Sequence, residues 1–275
     1  MKLSVNATHK MNKFGLIGHP IVHSLSPALF KAGYDGKYPY ELIETPDFEE
    51  AYQRFLQEYE GINVTSPFKE LAYAKAEIIS EECRLIGATN LLVKTSKGIA
   101  AYNSDYRGLL LWFESLKDKV MKTSSNSKVL IVGLGGAGKA AAVAAWKSGM
   151  DVILMNRDIS KAEYMASCLG TRSIVKPLAE FTESFNEADI IIYNLPVRLP
   201  EIDNICQSST SRMKHLLEAN YKNPSFDTDT LNKIKNSGAD IEYYTGRTWL
   251  LLQALTGYEL FTGEKPDLSN MTKQI

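Results

Sequence analysis

The chain has few cysteines, no long apolar segment and almost no net charge, and each absence excludes a class of protein. Its three cysteines among 275 residues, Cys83, Cys168 and Cys206, are widely spaced. They argue against a disulfide framework, predict a reduced cytoplasmic protein, and lack the spacing of metal ligands. No apolar run approaches the roughly 20 residues that span a bilayer, and the first dozen residues do not resemble a signal peptide. The net charge of −1 gives no reason to expect nucleic acid or an acidic membrane as a partner.

The chain does contain an alternation of apolar strand patterns and helix patterns. Such alternation is typical of an α/β protein with mostly parallel sheets. The polar stretch 117–128, rich in Ser, Lys and Asn, predicts a linker between two parts. The predicted strands are 13–17, 38–44, 61–65, 89–93, 98–102, 128–132 and 151–155. One predicted helix begins at residue 28. The other predicted helices cover 46–59, 70–79, 108–116, 139–148 and 248–258.

One short segment concentrates polar side chains at the end of a predicted strand. The strand 61–65 stops before Pro67 and is followed by the helix predicted over 70–79, so Asn63, Thr65 and Lys69 fall in one small area. A lysine near a helix start is disfavoured by the helix dipole. Lys69 is therefore a candidate for proton transfer or for binding an anion. An ordinary surface lysine at a loop is the alternative.

A glycine-rich turn follows the strand 128–132. Its sequence is Gly133-Leu134-Gly135-Gly136-Ala137-Gly138, and an alanine-rich helix and another strand come next. A strand, a glycine turn and a helix in this order are typical of a dinucleotide-binding unit, because a pyrophosphate must contact bare backbone N–H groups at the helix N-terminus. A purely structural tight turn is the alternative.

The residues after the next strand indicate which dinucleotide binds. The strand 151–155 is followed by Asn156, Arg157 and Asp158, with Lys161 one turn later. Arg157 can stack on adenine and pair with a 2′-phosphate, and Lys161 adds charge, which favours NADP. Asp158 favours NAD, because a carboxylate there accepts hydrogen bonds from a ribose 2′-OH. We predict NADP and keep NAD as the alternative.

Three other polar groups are candidates for ligand contact. Ser24 and Ser26 stand just before a predicted helix, where hydroxyls bind a carboxylate well, although Ser26 as a simple N-cap is the alternative. The strands 89–93 and 98–102 predict a hairpin. Asp105 follows this hairpin and precedes a helix, so it is either a functional carboxylate or a cap. Gln253 is the one amide in the apolar helix pattern 248–258. It either forms a hydrogen bond within the core or contacts a ligand.

Taken in order, these motifs closely resemble those of shikimate dehydrogenases, from about Phe14 to about Gly263. The segment from Asn63 to Lys69 is the most specific, whereas the glycine turn occurs in many families. The matching motifs are Ser24-x-Ser26-Pro27, Asn63-Val64-Thr65-x-Pro67-Phe68-Lys69, Gly87-Ala88-Thr89-Asn90, Asn103-Ser104-Asp105-x-x-Gly108, Gly133-x-Gly135-Gly136-x-Gly138, Asn156-Arg157 and Gln253.

The resemblance implies a fold, an activity and a set of site residues. The fold is an N-terminal α/β substrate domain (1–105 and 246–275) and a Rossmann-type domain with a doubly wound parallel sheet (106–245), with the active site in the cleft between them. The activity is the reversible NADPH-dependent reduction of 3-dehydroshikimate to shikimate on the route through chorismate to aromatic amino acids, in a monomer or homodimer. The implied catalytic pair is Lys69 and Asp105. The implied substrate contacts are Ser24, Ser26, Tyr221 and Gln253 for the carboxylate, and Asn63, Thr65, Asn90 and Asp105 for the hydroxyls. The implied cofactor contacts are Gly133, Gly135, Gly136, Ala137, Gly138, Asn156, Arg157, Lys161 and Gly246.

The chain also departs from the family pattern at several positions. These are Ser66, where apolar residues are more frequent, Ser104, where threonine is common, Asn194-Leu195-Pro196 near the expected nicotinamide, and Glu218-Ala219-Asn220-Tyr221, which lacks the frequent aspartate. Three alternatives stay open. A quinate/shikimate dehydrogenase that uses NAD is supported by Asp158. A methylene-tetrahydrofolate dehydrogenase is opposed by the Ser-x-Ser loop, and a non-catalytic shikimate-binding protein is opposed by the presence of both Lys69 and Asp105.

Overall fold

A computed structural model describes residues 12–120, 127–205 and 213–275. These residues form two sheets of six strands each, with helices between most consecutive strands. The strands are β1 (Phe14–Gly18), β2 (Tyr40–Glu44), β3 (Gly61–Val64), β4 (Ile78–Ile79), β5 (Leu91–Thr95), β6 (Gly98–Tyr102), β7 (Lys128–Val132), β8 (Asp151–Met155), β9 (Ser173–Val175), β10 (Ile190–Tyr193), β11 (Lys214–Glu218) and β12 (Ile241–Thr245). The helices are α1 (Ser26–Gly33), α2 (Phe48–Glu58), α3 (Lys69–Ala74), α4 (Glu81–Ile86), α5 (Ser104–Val120), α6 (Gly136–Lys147), α7 (Ile159–Leu169), α8 (Phe181–Glu187), α9 (Ile202–Ile205), α10 (Thr228–Asn236), α11 (Gly246–Thr262) and α12 (Leu268–Thr272).

The first sheet has the order β2-β1-β3-β5-β6-β4. Strands β1, β2 and β3 are parallel, and their apolar side chains are buried by helices on both faces. Strands β5 and β6 form an antiparallel hairpin with Thr95 opposite Gly98, which confirms the predicted hairpin. Residues at the carboxyl ends of β1 and β3 lie side by side, with Leu16 opposite Asn63.

The second sheet is entirely parallel and has the order β12-β11-β10-β7-β8-β9. The chain winds outward from β7 to β9, and then from β10, on the other side of β7, to β12. The winding direction therefore reverses between β7 and β10, and ligands of such sheets bind beyond the carboxyl ends of the strands at this point. The predicted fold, an α/β substrate part and a doubly wound Rossmann-type part, is confirmed.

Helices α5 and α11 connect the two sheets. They pack so closely that a Cβ added to Gly108 would lie 2.7 Å from the backbone N of Gln253. Trp249 on α11 donates its Nε1–H to the carbonyl oxygen of Asp105 on α5, at 3.0 Å. The far end of α11 then packs in the aromatic core beneath the first sheet, through Tyr258 and Phe261. The limits 1–105, 106–245 and 246–275 for the two domains stay a prediction.

The helix predicted over 70–79 is wrong in its second half. Helix α3 ends at Ala74, and Ile78–Ile79 is a short strand parallel to β6. The apolar residues of 70–79 do not form one buried face, since Leu71 is 51% exposed. The linker predicted over 117–128 is shorter, because α5 continues to Val120 and β7 begins at Lys128, and 121–126 lie outside the described residues. Within the part of the chain that the structure describes, no helix is long and apolar enough to cross a membrane.

Candidate active site

A cleft of about 310 Å³ lies between the two sheets. Its walls come from the carboxyl ends of β1 and β3, the starts of α1, α3, α5 and α11, and the loop after β11. The fold therefore brings together residues that are far apart in the chain. All the residues that the resemblance assigned to catalysis or to the substrate line this cleft, namely Ser24, Ser26, Asn63, Thr65, Lys69, Asn90, Asp105, Tyr221 and Gln253, and so do Ala137 and Gly246 from the predicted cofactor set.

Lys69 and Asp105 form an ion pair in the cleft. The Lys69 Nζ lies 2.5 Å from Oδ2 of Asp105, and the two side chains are only 16% and 13% exposed. Lys69 is the first residue of α3, and its carbonyl accepts the backbone N–H of Thr89. Lys69 is therefore not a loose surface lysine. The pair places an ammonium and its carboxylate partner at one point of the cleft wall.

The two serines before α1 are held against each other. Ser24 Oγ donates to Ser26 Oγ at 3.1 Å and accepts the backbone N–H of Ser26 at 3.2 Å. Ser26 is the first residue of α1, and the N-cap position belongs to Leu25, which makes no side-chain cap. Ser26 is therefore not a simple N-cap. The hydroxyls and the open end of a helix face the cleft together, which suits a carboxylate.

Three amides line the same wall, and each has its carbonyl oxygen bound from behind. Asn63 Oδ1 accepts from the hydroxyl of Tyr40 at 2.8 Å, and Asn90 Oδ1 accepts the backbone N–H of Ser104 at 2.7 Å. Gln253 Oε1 accepts from Ser104 Oγ at 3.0 Å. Asn90 Nδ2 donates to Ser104 Oγ, so this amide is largely occupied by protein partners. Asn63 and Gln253 retain N–H groups for a ligand.

Tyr221 lies on the opposite wall, in the loop after β11. The guanidinium of Arg247 lies 6.0 Å from the centre of its ring. Burial raises the pKa of Tyr221, and the charge of Arg247 opposes this rise. The loop is anchored by the buried carboxylate of Glu218, which accepts the backbone N–H groups of Ser225 and Phe226. Tyr221 is thus placed in the cleft although the frequent aspartate before it is missing.

The glycine turn forms a second cleft of about 320 Å³ that shares Thr65 and Lys69 with the first. A Cβ on Gly138 would lie 1.8 Å from the carbonyl oxygen of Gly133, so the turn closes only with glycine here. Gly133 itself has φ +89°, which favours glycine. A Cβ on Gly135 would meet no atom within 4 Å. The open space there can receive a pyrophosphate against the N-terminus of α6.

The remaining predicted cofactor residues lie after β8, outside the lining of both clefts. Asn156 Oδ1 accepts the backbone N–H of Leu134 at 3.0 Å, so it holds the glycine turn. Arg157 and Lys161 are exposed, and no described residue forms a hydrogen bond or ion pair with the Arg157 side chain. Asp158 accepts a hydrogen bond from Ser160 Oγ at 2.5 Å, which lowers the pKa of that carboxyl.

Comparison with known proteins places the chain in a family. Residues 16–92 match the shikimate dehydrogenase substrate binding domain, and residues 115–220 match the shikimate / quinate 5-dehydrogenase model. The shikimate dehydrogenase (NADP(+)) of Caldanaerobacter subterraneus subsp. tengcongensis is 30% identical over 276 residues, which cover 95% of each chain. That of Thermus thermophilus is 31% identical and covers 95% of this chain and 96% of its own. This chain belongs to the shikimate dehydrogenase family.

Solved structures of shikimate dehydrogenases share the whole fold. The Thermus thermophilus enzyme in complex with NADP(H) and shikimate has a TM-score of 0.74 at 28% identity, over 96% of this chain and 98% of that one. The Aquifex aeolicus enzyme has a TM-score of 0.78 at 27% identity, over 98% of this chain and 99% of that one. The described residues therefore have the two-part architecture of this family.

The residues after β10 are one of the places where the sequence predicts a departure from the family pattern. Asn194 lines the second cleft, and its Oδ1 is buried without a hydrogen-bond partner among the described residues. The side chain of Leu195 lies against the glycine turn, since a Cβ on Gly133 would be 2.8 Å from Leu195 Cδ2. An apolar side chain thus packs beside the turn at this position.

Sequence reasoning missed two residues that hold the site together. Tyr40 on β2 donates its hydroxyl hydrogen to Asn63 Oδ1 on β3, and Trp249 donates to the backbone carbonyl oxygen of Asp105. Each contact joins residues distant in the chain, 23 and 144 positions apart. No local spacing carries such a signal, and both residues read as ordinary apolar core positions.

Proposed function

We propose that this protein is a shikimate dehydrogenase that interconverts shikimate and 3-dehydroshikimate with NADP and NADPH, on the route to chorismate and the aromatic amino acids. The observation that carries the proposal is the largely buried Lys69–Asp105 pair, 2.5 Å apart, in the cleft that also holds the serine pair. A proton donor, a carboxylate site and a glycine turn then meet at one place.

The substrate carboxylate binds to Ser24 and Ser26, with Tyr221 and Gln253 completing its site. The serine hydroxyls and the N-terminus of α1 supply donors, and Gln253 has its carbonyl oxygen bound by Ser104, so its N–H groups face the ligand. The ring hydroxyls bind to Asn63, Thr65 and Asp105, while Asn90 supports the wall between them.

Lys69 handles the proton at the reacting oxygen. In the direction of reduction, the carbonyl oxygen gains negative charge, and the Lys69 ammonium stabilises this charge and donates a proton from Nζ. In the direction of oxidation, Nζ takes the hydroxyl proton back. Asp105 orients Nζ through their ion pair and accepts a hydrogen bond from the adjacent hydroxyl of the substrate.

The residues present fit a dinucleotide. Gly135 leaves the space above the N-terminus of α6 open, and Gly133 and Gly138 let the turn close. The turn from Gly133 to Gly138, including Gly136 and Ala137, holds the pyrophosphate, and the predicted cofactor contact Gly246 lines the first cleft. When bound, NADPH supplies the hydride for the reduction.

Arg157 selects NADP by binding its 2′-phosphate, assisted by Lys161, while Asn156 supports the turn behind them. The side chain of Arg157 has no competing partner among the described residues. The NAD-using alternative, a quinate/shikimate dehydrogenase, depends on Asp158, whose carboxylate already accepts a hydrogen bond from Ser160. We further propose a cytoplasmic protein that acts as a monomer or homodimer.

The test is the initial rate of shikimate oxidation by the purified protein with NADP and, separately, with NAD. We expect a strong preference for NADP. A preference for NAD would keep the chemistry and transfer the selectivity to Asp158. Binding of shikimate without any rate with either cofactor would overturn the proposal and favour a non-catalytic shikimate-binding protein.

A further inference from the structure

A tyrosine hydroxyl lies between the two substrate-binding elements of the cleft, although neither motif contains it. Tyr40 is the first residue of β2, and its ring packs 4.7 Å from that of Phe30 on α1. Its hydroxyl donates to Asn63 Oδ1 at 2.8 Å. Burial raises the pKa of Tyr40 well above its ordinary value, so the hydroxyl keeps its proton and remains a donor.

This hydrogen bond fixes which end of the Asn63 amide faces the cleft. The carbonyl oxygen is occupied by Tyr40, and Nδ2 points the other way, donating to the carbonyl oxygen of Asn90 at 3.4 Å. A carboxamide nitrogen carries two hydrogens, so one N–H remains for a ligand. Asn63 is a lining residue of the cleft. In this orientation Asn63 keeps one N–H for a ligand, while its carbonyl oxygen is engaged by Tyr40.

On its other side Tyr40 faces the serine loop. The ring of Tyr258 on α11 lies 5.9 Å from that of Tyr40. Tyr258 donates to the carbonyl oxygen of Ser26 at 3.0 Å, while Tyr40 donates to Asn63. Two neighbouring tyrosines thus support the proposed carboxylate site and the proposed hydroxyl site from behind the cleft wall.

We infer that Tyr40 is a positioning residue for the substrate, which acts by holding the Asn63 amide with its N–H toward the cleft. This inference rests on the proposed function. A substrate hydroxyl shared by Asn63 and Asp105 donates its one proton to Asp105, because an ionised carboxylate only accepts. Asn63 must then donate to the oxygen of that hydroxyl. If the Asn63 amide were flipped, its oxygen and the Asp105 carboxylate would compete for the single hydroxyl proton of the substrate.

The direct test is Tyr40→Phe, which keeps the ring contact with Phe30 and removes only the hydroxyl. We expect the KM for shikimate to rise about three- to tenfold, the range that loss of one hydrogen bond implies, with kcat within about twofold and the KM for NADP unchanged. Tyr38→Phe is the matched control, because the Tyr38 hydroxyl bonds to exposed Glu264, and we expect it to leave all three constants unchanged.

A double-mutant cycle separates positioning through Asn63 from a general structural role. In an Asn63→Ala background, Tyr40→Phe should raise the KM for shikimate no further, because the amide on which it acts is gone. Equal effects of Tyr40→Phe in the presence and absence of Asn63 would overturn the inference. An unchanged KM in the Tyr40→Phe single variant would overturn it as well.

A second variant tests the amide orientation even if Tyr40→Phe folds poorly. Asn63→Asp keeps the acceptor for the Tyr40 hydroxyl but offers the cleft no N–H, so the KM for shikimate should rise more than about tenfold, as for a lost hydrogen bond that involves charge. A wild-type KM in this variant would overturn the donor orientation. A wild-type protein that shows no rate with shikimate would instead overturn the proposed function, and the inference with it.

Discussion

The two sides of the cleft are built in different ways. On the substrate side, polar side chains from distant parts of the chain bind one another before any ligand is present, as Lys69 does with Asp105 and Tyr40 with Asn63. On the cofactor side, the proposed site consists of open backbone at the glycine turn and of exposed cations such as Arg157. The substrate side is preorganised by hydrogen bonds, whereas the cofactor side depends on space. Substitutions on the two sides should therefore impair the protein for different reasons.

The largest effect is expected from removing the proposed proton donor, Lys69, on the substrate side. Lys69→Met keeps an unbranched side chain but no ammonium, and we expect kcat for shikimate oxidation to fall about 10³-fold, within the range of general acid–base catalysis. NADP affinity, measured by fluorescence titration, should fall far less than kcat, because the open backbone of the turn is unaffected. Near-wild-type turnover would refute the role of Lys69.

The next effect should come from filling space on the cofactor side. Gly138→Ala would place a Cβ 1.8 Å from the Gly133 carbonyl oxygen, so the turn must move. We expect the free energy of unfolding to fall by about 1–3 kcal/mol, as for an overpacked site, and NADP binding to weaken. Thermal unfolding and cofactor titration measure the two effects.

Gly135→Ala is the matched control for the turn. Its Cβ meets nothing within 4 Å and its φ of −72° suits any residue, so thermal stability should stay at the wild-type value. Because the methyl group would point into the space proposed for the pyrophosphate, NADP affinity should still fall. Equal loss of stability in the two variants would contradict the assignment of Gly138 to closure of the turn and of Gly135 to the ligand.

A more selective effect is expected at the exposed cation. Arg157→Gln should raise the KM for NADP about tenfold or more, the loss expected for a hydrogen bond to a charged group, and leave the KM for NAD unchanged. Steady-state kinetics with both cofactors check this. If both KM values rise equally, Arg157 contacts a part that the two cofactors share, and the 2′-phosphate assignment fails.

The smallest effect concerns an ion pair that bridges the two sides. Glu70 on α3 binds Lys139 on α6 at 2.7 Å, and this lysine holds the pKa of Glu70 below its ordinary value. A lowered carboxyl pKa in the folded state adds stability above the ordinary pKa, which is lost as the pH falls through the lowered value. Glu70→Gln should therefore lower Tm slightly at pH 7, and the difference from wild type should shrink as the pH falls through that lowered pKa.

The effect of Glu70→Gln should stay within about 2 °C, because the Glu70 side chain is mostly exposed and such pairs contribute little. Glu81→Gln is the matched control, since Glu81 binds Lys147 further along α6. The Tm of both variants should fall by the same small amount. A large fall in Tm at pH 7 for Glu70→Gln alone would contradict this expectation. It would show that the Glu70–Lys139 pair stabilises the contact between the two sides of the cleft more than an exposed ion pair can.

Sequence reasoning succeeded where the structure depends on neighbouring residues. The strand and turn from Asn63 to Lys69, the hairpin of β5 and β6, and the glycine turn are local patterns, and each lies where it was predicted. The second half of the helix over 70–79 failed because the pairing of Ile78 and Ile79 with β6 depends on a strand about 20 residues away.

The contacts between distant segments on the substrate side could not be predicted from the spacing of residues. The partners Lys69 and Asp105 are 36 positions apart, and only the family resemblance brought them together before the fold was known. Tyr40 escaped notice because a strand tyrosine with a buried hydroxyl has the same sequence pattern as one that merely packs. The substrate side is therefore harder to predict than the cofactor side, since it is made of long-range side-chain bonds.

The most direct test of the account is the transfer of deuterium from shikimate labelled at its reacting carbinol carbon. If Lys69 and Asp105 take the hydroxyl proton while NADP on the glycine turn receives the hydride, each turnover should place one deuterium in the reduced cofactor and release 3-dehydroshikimate. The absence of labelled NADPH from a folded protein that binds both shikimate and NADP would contradict the account.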